Sequence, residues 1–123
     1  MASIIVMTGP QEGDFYPLGH RTNVIGRDEA LMIQILDERV SRKHMKICYD
    51  KDKDNYYAVD MDSKHGTFIN GMKIMYHTVL INEDCITIGK TSLLFTTKDF
   101  DDRESALSHF KKIGERTRPT MME

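Results

Sequence analysis

The chain has 123 residues, of which 40% are hydrophobic and 29% charged, as expected for one folded soluble domain with a short appendage. Its formal net charge of -2 gives the whole molecule no general attraction for nucleic acids or anionic membranes. The longest apolar run near the N-terminus, residues 4–7, is too short for a membrane span or a signal peptide. We therefore expect a cytoplasmic protein that binds neither nucleic acid nor membrane.

Most of the chain reads as short β-rich segments separated by turn residues. Pro17 lies inside the second segment, which predicts an edge strand because proline cannot donate to a ladder. The charged run 50–55 predicts a solvated hairpin loop, and Asn70-Gly71 predicts a tight hairpin turn. About ten strands without a long helical pattern predict an all-β sandwich or barrel. The predicted strands are residues 3–7, 14–18, 23–25, 32–36, 46–49, 56–59, 67–69, 73–74, 84–88 and 92–96.

The pattern changes at residue 98. Asp101 followed by Glu104 is typical of a capping box, and Gly114 is a suitable stop. Helical spacing of apolar residues between them predicts one amphipathic helix over 101–113, followed by a polar tail. The apolar face of this helix either packs on the sandwich or docks a partner or a second copy of the chain. The chain thus divides into residues 1–97 and 98–123, and the helical face is Ala106, Leu107, Phe110 and Ile113.

The two cysteines, Cys48 and Cys85, lie in segments of alternating apolar residues. We interpret them as reduced, half-buried thiols in strands, and a disulfide between them stays an open alternative. Neither has a second cysteine or a histidine at ligand spacing, so the sequence predicts no metal site and no cofactor.

Three polar clusters follow predicted strands, in residues 25–27, 40–44 and 60–71. They give the loops of a slightly acidic protein a locally basic set of donors. An arginine fork matches phosphate or carboxylate oxygens, and a serine hydroxyl adds a neutral donor. A phosphate on a side chain, with a charge of about -1.5 to -2 and three acceptor oxygens, would be satisfied by such a set. The donors are Arg27, Ser41, Arg42, Lys43, Lys64 and His65.

These clusters resemble the signature of the forkhead-associated (FHA) domain family, in order and at fitting separations. The matching segments are Ile25-Gly26-Arg27, Val40-Ser41-Arg42 with His44, and Gly66 to Gly71. The pattern of strands and turns is similar over residues 3–97, although the residues that identify the family are concentrated between 25 and 71. The resemblance implies a β-sandwich of about eleven strands whose loops at one end bind a phosphothreonine peptide.

The resemblance also implies roles for the ligand-contacting positions. Arg27 and Ser41 would bind phosphate oxygens, and Arg42 would contribute through its side chain or its backbone. Lys64 would contact the phosphothreonine methyl group and the nearby peptide. His65 stands where the family usually has an asparagine that hydrogen-bonds the backbone of the ligand. A neutral imidazole can also donate and accept, but with a different reach and pH dependence.

Four further positions are implied to support the binding loops rather than to contact the ligand. Gly26 and Gly66 would let the loop backbones turn, and His44 would brace the loops. Asn70 is interpreted as part of the hairpin turn that follows.

The sequence therefore predicts a phosphothreonine-peptide-binding module or adaptor in Ser/Thr-kinase signalling, with a Ser/Thr kinase or its substrate as the partner. The alternative is a phospho-independent interaction or scaffolding domain with the same fold, which His65 favours. A hydrolase using Ser41 and His44 is disfavoured, because no suitably placed acid, oxyanion motif or Gly-x-Ser-x-Gly accompanies them. The tail holds Thr117 and Thr120, and we hypothesise that one is phosphorylated and occupies the site in cis or in trans. Self-association through the helix or the tail is a related expectation.

Overall fold

A computed structural model describes residues 2–97 as two packed β-sheets, and this part of the chain contains no helix. The eleven strands are β1 (Ser3–Val6), β2 (Phe15–Pro17), β3 (Asn23–Gly26), β4 (Ile33–Gln34), β5 (Met45–Asp50), β6 (Asn55–Asp60), β7 (Thr67–Ile69), β8 (Met72–Lys73), β9 (Thr78–Leu80), β10 (Cys85–Ile88) and β11 (Thr91–Thr96). The predicted all-β sandwich is confirmed. The predicted helix over 101–113 and the tail with Thr117 and Thr120 lie outside the described residues.

One sheet has six strands in the order β2-β1-β11-β10-β7-β8, and the other has five in the order β4-β3-β5-β6-β9. All neighbouring strands are antiparallel except β3 and β4, which pair in parallel through Ile25 and Ile33. The chain crosses between the sheets several times, so the loops of both sheets gather at the same two ends of the sandwich. This arrangement lets residues far apart in the sequence form one surface.

The core lies between the sheets and is built from the inward-facing residues of each strand. In β5 and β6, buried residues such as Ile47 and Ala58 alternate with more exposed neighbours, as a half-buried strand requires. Phe95 of β11 is fully buried and packs edge-on against Tyr56, with ring centroids 5.8 Å apart. Cys48 in β5 is buried and Cys85 in β10 is half-buried, and both thiols are free.

The turns follow the sequence signals closely. The strand containing Pro17 is at a sheet edge, as predicted, and among the strands of residues 2–97 it pairs only with β1. The charged run 50–55 forms the turn of the β5–β6 hairpin, with Asp54 in the left-handed region at φ 50°. The predicted Asn70-Gly71 turn joins β7 to β8, and both residues have positive φ, 51° and 85°. That geometry is favourable for asparagine and glycine and strained for most other residues.

One of the eleven strands, β9, was not among the ten predicted from the sequence. β9 spans only Thr78–Leu80, and its exposed Val79 lies next to the buried Leu80 within a longer apolar stretch. Three residues are too few to produce a readable alternation, so the strand is defined by its pairing with β6 and not by local sequence. Within residues 2–97, no helix is available that could cross a membrane.

Candidate functional site

The three polar clusters predicted from the sequence meet at one end of the sandwich. β3 ends at Gly26, and its neighbour Ile25 pairs with Met45, where β5 begins. Met45 in turn pairs with Asp60, where β6 ends. The connections β3–β4, β4–β5 and β6–β7 therefore leave the sheets side by side, and we call them together the binding loops (residues 27–32, 35–44 and 61–66).

Arg27 is exposed and is held at the base of its side chain. Its backbone N–H donates to the carbonyl of Ser41 at 3.0 Å, and its Nε donates to the carbonyl of Val40 at 3.0 Å. A guanidinium has five N–H groups, so one is used internally and four stay available to a ligand. Within residues 2–97 no carboxylate forms an ion pair with Arg27. The position of this arginine is thus fixed while its charge is left uncompensated.

Ser41 connects the second loop to the third. Its Oγ accepts the backbone N–H of Lys64 at 3.0 Å, which leaves the hydroxyl proton free to be donated to an acceptor. Arg42, with 75% of its side chain exposed, lies 3.6 Å from the Asp28 carboxylate of the first loop. This pair is solvent-screened and weak, and the two residues are joined more firmly by the Asp28 N–H, which donates to the Arg42 carbonyl at 3.1 Å. The structure therefore brings Arg27, Ser41, Arg42 and Lys64 together on the binding loops.

His44 is completely buried beneath these loops. Its Nδ1 accepts the backbone N–H of Ser41 at 3.0 Å, and its Nε2 lies 2.8 Å from the carbonyl of Gly66. Because Nδ1 is an acceptor, the ring proton of the neutral imidazole is on Nε2 and is donated to Gly66. The backbone of the same residue bonds Ile25 and Met61. The side chain and backbone of His44 therefore tie the second and third binding loops to each other and to β3.

Gly26 is required by a close approach of two backbones and not by an unusual φ. A Cβ atom at this position would lie 2.1 Å from the carbonyl oxygen of Arg42 and 2.9 Å from that of Ser41. Backbone atoms cannot move aside as a flexible side chain can. The absence of a side chain at Gly26 is what lets the first and second binding loops pack against each other.

The third binding loop is braced by a partly buried hydrogen-bond network around Asp60. The carboxylate accepts the Ser63 hydroxyl at 2.6 Å, the Thr67 hydroxyl at 2.7 Å and the Ser63 N–H at 3.1 Å. The Ser63 Oγ then accepts the N–H of Gly66, which adopts φ 86°. Burial raises the pKa of Asp60, but these hydrogen bonds outweigh it and hold the pKa below its ordinary value of 3.8.

A fourth connection, between β10 and β11, joins the same end of the sandwich. Asp37 accepts the backbone N–H of Lys90 at 2.7 Å, the hydroxyl of Thr91 at 2.8 Å and the N–H of Arg39 at 2.9 Å. Burial raises the pKa of Asp37, but these bonds together lower it below the ordinary value. The second binding loop is thus also attached to the six-stranded sheet. Beside it lies an open cleft of about 370 Å³, lined by Gly9, Pro10, Leu36, Asp37, Glu38, Arg39, Lys90 and Thr91.

Two of the predicted residues have different surroundings from the rest. His65 is exposed at the tip of the third binding loop, next to Lys64, and within residues 2–97 no hydrogen bond holds its ring. Asn70 lies at the opposite end of β7 from Gly66, away from the other predicted site residues. Its side chain donates to Asp84 and accepts the N–H of Cys85, both at 2.9 Å.

Sequence reasoning did not single out Asp60, Ser63 or Asp37 as contributors to the site. The only local signal was the Asp60-x-x-Ser63 spacing, which is typical of a side chain that bonds the backbone two or three residues on. The partners of Asp37 at positions 90 and 91 are more than fifty residues away, so no local pattern reveals them.

The geometry also bears on catalysis. Both ring nitrogens of His44 are engaged by backbone groups, and the Ser41 hydroxyl accepts from Lys64, so the imidazole is not hydrogen-bonded to that hydroxyl. A Ser-His pair for nucleophilic attack needs that bond. Among the described residues, no group of three or more His, Cys, Asp or Glu side chains could hold a metal ion.

The described residues thus form a two-sheet β-sandwich whose loops at one end carry donors of the kind that can bind a phosphate group. Residues 23–89, more than half of the chain, match the FHA domain family. The chain therefore belongs to this family, whose members are interaction modules and not enzymes.

Comparison with individual proteins agrees with this assignment. The chain is 35% identical over 94 residues to an oxoglutarate dehydrogenase inhibitor of Corynebacterium jeikeium, covering 76% of this chain and 63% of that protein. The chain thus spans less than two thirds of the length of the curated relatives it matches. An FHA domain of Arabidopsis thaliana matches with a TM-score of 0.73 and 29% identity, over 82% of this chain and 88% of that one. The N-terminal FHA domain of Saccharomyces cerevisiae Rad53p, solved with a phosphothreonine peptide, has the same fold, with a TM-score of 0.70, 24% identity and coverage of 80% and 94%.

Proposed function

We propose that this chain is a phosphothreonine-peptide-binding module, that the phosphate of its ligand binds Arg27 and Ser41, and that Lys64 contacts the phosphothreonine methyl group and the nearby peptide. The observation that carries the proposal is the way the binding loops are coupled. Ser41 accepts from the third loop and Arg27 donates to the second, and these bonds leave four guanidinium N–H groups and a hydroxyl proton for a ligand. Two fixed donors of this kind match the oxygens of a phosphate ester.

The electrostatics favour a single phosphate over a polyanion. The site has the exposed charges of Arg27, Arg42, Lys43 and Lys64 on a molecule whose formal net charge is -2. Three charge-assisted bonds of about 1.5–3 kcal/mol each, less the cost of association, correspond to dissociation constants of micromolar order. Such reversible binding suits signalling, and a Ser/Thr kinase or one of its substrates in the cytoplasm is the partner we propose.

His65 is the residue we assign to reading the peptide backbone next to the phosphothreonine. It is exposed beside Lys64, whose N–H is bonded to Ser41, so it lies next to the proposed phosphate position. A neutral imidazole can both donate and accept, as the side-chain amide of asparagine can, but with one N–H group where the amide has two. We expect His65→Asn to keep phosphate dependence and to change the preference for residues that follow the phosphothreonine.

The proposed function is tested by binding to a degenerate phosphothreonine peptide library, beside the same peptides carrying threonine or phosphoserine. We expect selective retention of the phosphothreonine set and its loss in Arg27→Ala. The matched control is Arg21→Ala, which removes an exposed arginine at the other end of β3. Equal retention of all three peptide sets would refute the proposal and would favour phospho-independent scaffolding, as would a partner that binds equally before and after phosphatase treatment.

A further inference from the structure

One side of the sandwich exposes an unusual number of apolar side chains. Of the seven large hydrophobic residues exposed within residues 2–97, five fall in the ten residues 72–81. This segment contains β8 and β9, which are edge strands of the two different sheets, together with the crossing between them. Exposed apolar side chains grouped on a sheet edge are typical of a surface that another segment covers. We call this group the edge surface, and its members are Met72, Met75, Tyr76, Val79 and Ile81.

The described chain ends beside this surface. The N–H of Thr97 donates to the Asn82 side-chain oxygen at 2.9 Å, and the hydroxyl of Thr96 lies 3.2 Å from the same oxygen. Asn82 is the residue that follows Ile81, which is 66% exposed. Residues 98–123 therefore begin next to one end of the edge surface, and this end is the one farther from the binding loops.

We infer that residues 98–113 cover the edge surface, with the apolar face of the predicted helix over 101–113 against it. Thirteen helical residues span about 20 Å, and β6, the strand beside β9, has six residues and spans about 20 Å as well. The three residues 98–100 bridge at most about 10 Å, so the helix would start within reach of Ile81. The face consists of Ala106, Leu107, Phe110 and Ile113.

A segment of the same chain is a better occupant than a second copy. A short tether holds the segment at an effective concentration of about millimolar, whereas a second copy must associate from dilute solution. Attachment at Asn82 also fixes which end of the segment meets which end of the surface. The binding loops stay accessible in this arrangement, so the inference stands independently of the proposed function.

Methionine oxidation of the intact chain tests this inference directly. Met72, Met75 and Met32 are exposed to similar extents within residues 2–97, at 76%, 73% and 80%, but Met32 lies in the first binding loop away from the edge surface. Oxidation rates with dilute peroxide, followed residue by residue by mass spectrometry, therefore report whether a further segment covers the surface. We expect Met72 and Met75 to oxidise several-fold more slowly than Met32.

Two variants of the full chain identify the covering segment. Phe110→Asp places a charge on the apolar face, and Ser108→Asp places the same charge about 200° away on the predicted helix. We expect Phe110→Asp to raise the oxidation rates of Met72 and Met75 to that of Met32, and Ser108→Asp to leave them slow. Equal rates for all three methionines in the unaltered chain would overturn the inference, and so would protection that persists in Phe110→Asp. Protection that rises with protein concentration would assign the surface to a second copy instead.

Discussion

Replacement of His44 should affect both the stability of the sandwich and phosphopeptide binding, because its ring is completely buried beneath the binding loops. In His44→Phe a ring of similar size stays in a site that is completely buried, but both ring hydrogen bonds are lost. The carbonyl of Gly66 and the N–H of Ser41 then have no side-chain partner. We expect the second and third binding loops to be held less firmly, because the bridge from the Ser41 N–H to the Gly66 carbonyl is lost while the bonds Lys64 N–H to Ser41 Oγ and Met61 N–H to the His44 carbonyl remain.

The magnitude follows from the burial of the two orphaned groups. Leaving a buried donor or acceptor unsatisfied costs about 1–3 kcal/mol, so losing both bonds should lower the free energy of unfolding by about 2–5 kcal/mol. The cost of leaving the Ser41 N–H unpaired lies at the lower end of about 1–3 kcal/mol, because this N–H is only partly buried. Domains of this size are stable by about 5–15 kcal/mol, so His44→Phe should remain folded at low temperature but unfold at much lower urea concentration.

The assay combines urea unfolding with phosphopeptide binding measured on the folded variant. His77→Phe is the matched control, because His77 is exposed and stacks on Tyr57 with centroids 5.1 Å apart. We expect His44→Phe to lose both stability and affinity, and His77→Phe to lose neither. If His44→Phe unfolded at the same urea concentration as the unaltered chain, the two imidazole hydrogen bonds would contribute nothing to stability, contrary to this prediction.

Three other predictions concern the scaffold of the site. Gly26→Ala should lower the free energy of unfolding by about 1–3 kcal/mol and weaken phosphopeptide binding, because the alanine methyl group would lie 2.1 Å from the Arg42 carbonyl oxygen. An unchanged urea midpoint and an unchanged affinity would contradict this prediction. Asp60 has a pKa below 3.8 when folded, so the stability it confers is complete above that value and is lost as pH falls through the folded pKa. Asp60→Asn should therefore lower the urea midpoint at neutral pH and flatten its decline in acid, and an unaltered pH profile would count against the network. Asn70→Gly keeps the turn conformation but removes the side-chain bonds to Asp84 and Cys85. The urea midpoint should therefore fall while phosphopeptide affinity stays the same. A loss of affinity would show that the turn does support the binding loops.

Much of the fold was predictable because its turns carry strong local signals. Pro17 predicted an edge strand, the run 50–55 predicted a hairpin loop, and Asn70-Gly71 predicted a turn with positive φ at both residues. β9 was not predictable in the same way, since its three residues form a strand only by pairing with β6. Local chemistry thus determined where the chain turns, and long-range pairing determined β9.

The candidate site was likewise predictable where local sequence determines it and not where long-range contacts do. Spacing and residue type were enough to select Arg27, Ser41 and Lys64, and the fold brings them together on neighbouring loops. The sequence could not predict that Asp37 would bond residues 90 and 91, because that contact joins different sheets. It also could not predict that Gly26 is needed for a close approach to Arg42, since its φ is ordinary and only the packed structure reveals the contact.

The binding loops are held to one another by backbone groups and buried side chains, and their exposed charges take little part. The Ser41 carbonyl accepts from the Arg27 backbone, the Gly66 carbonyl accepts from His44, and the Val40 carbonyl accepts from the Arg27 Nε. Within residues 2–97, the terminal guanidinium nitrogens of Arg27 and the ammonium group of Lys64 are left to solvent. Changes at the exposed positions should therefore alter binding at little cost in stability, whereas changes at His44 or Gly26 should alter both. His65 belongs to the first group, because within residues 2–97 no hydrogen bond holds it. A histidine can accordingly stand at this position without disturbing the loops, and its effect should be confined to what the site recognises beside the phosphate.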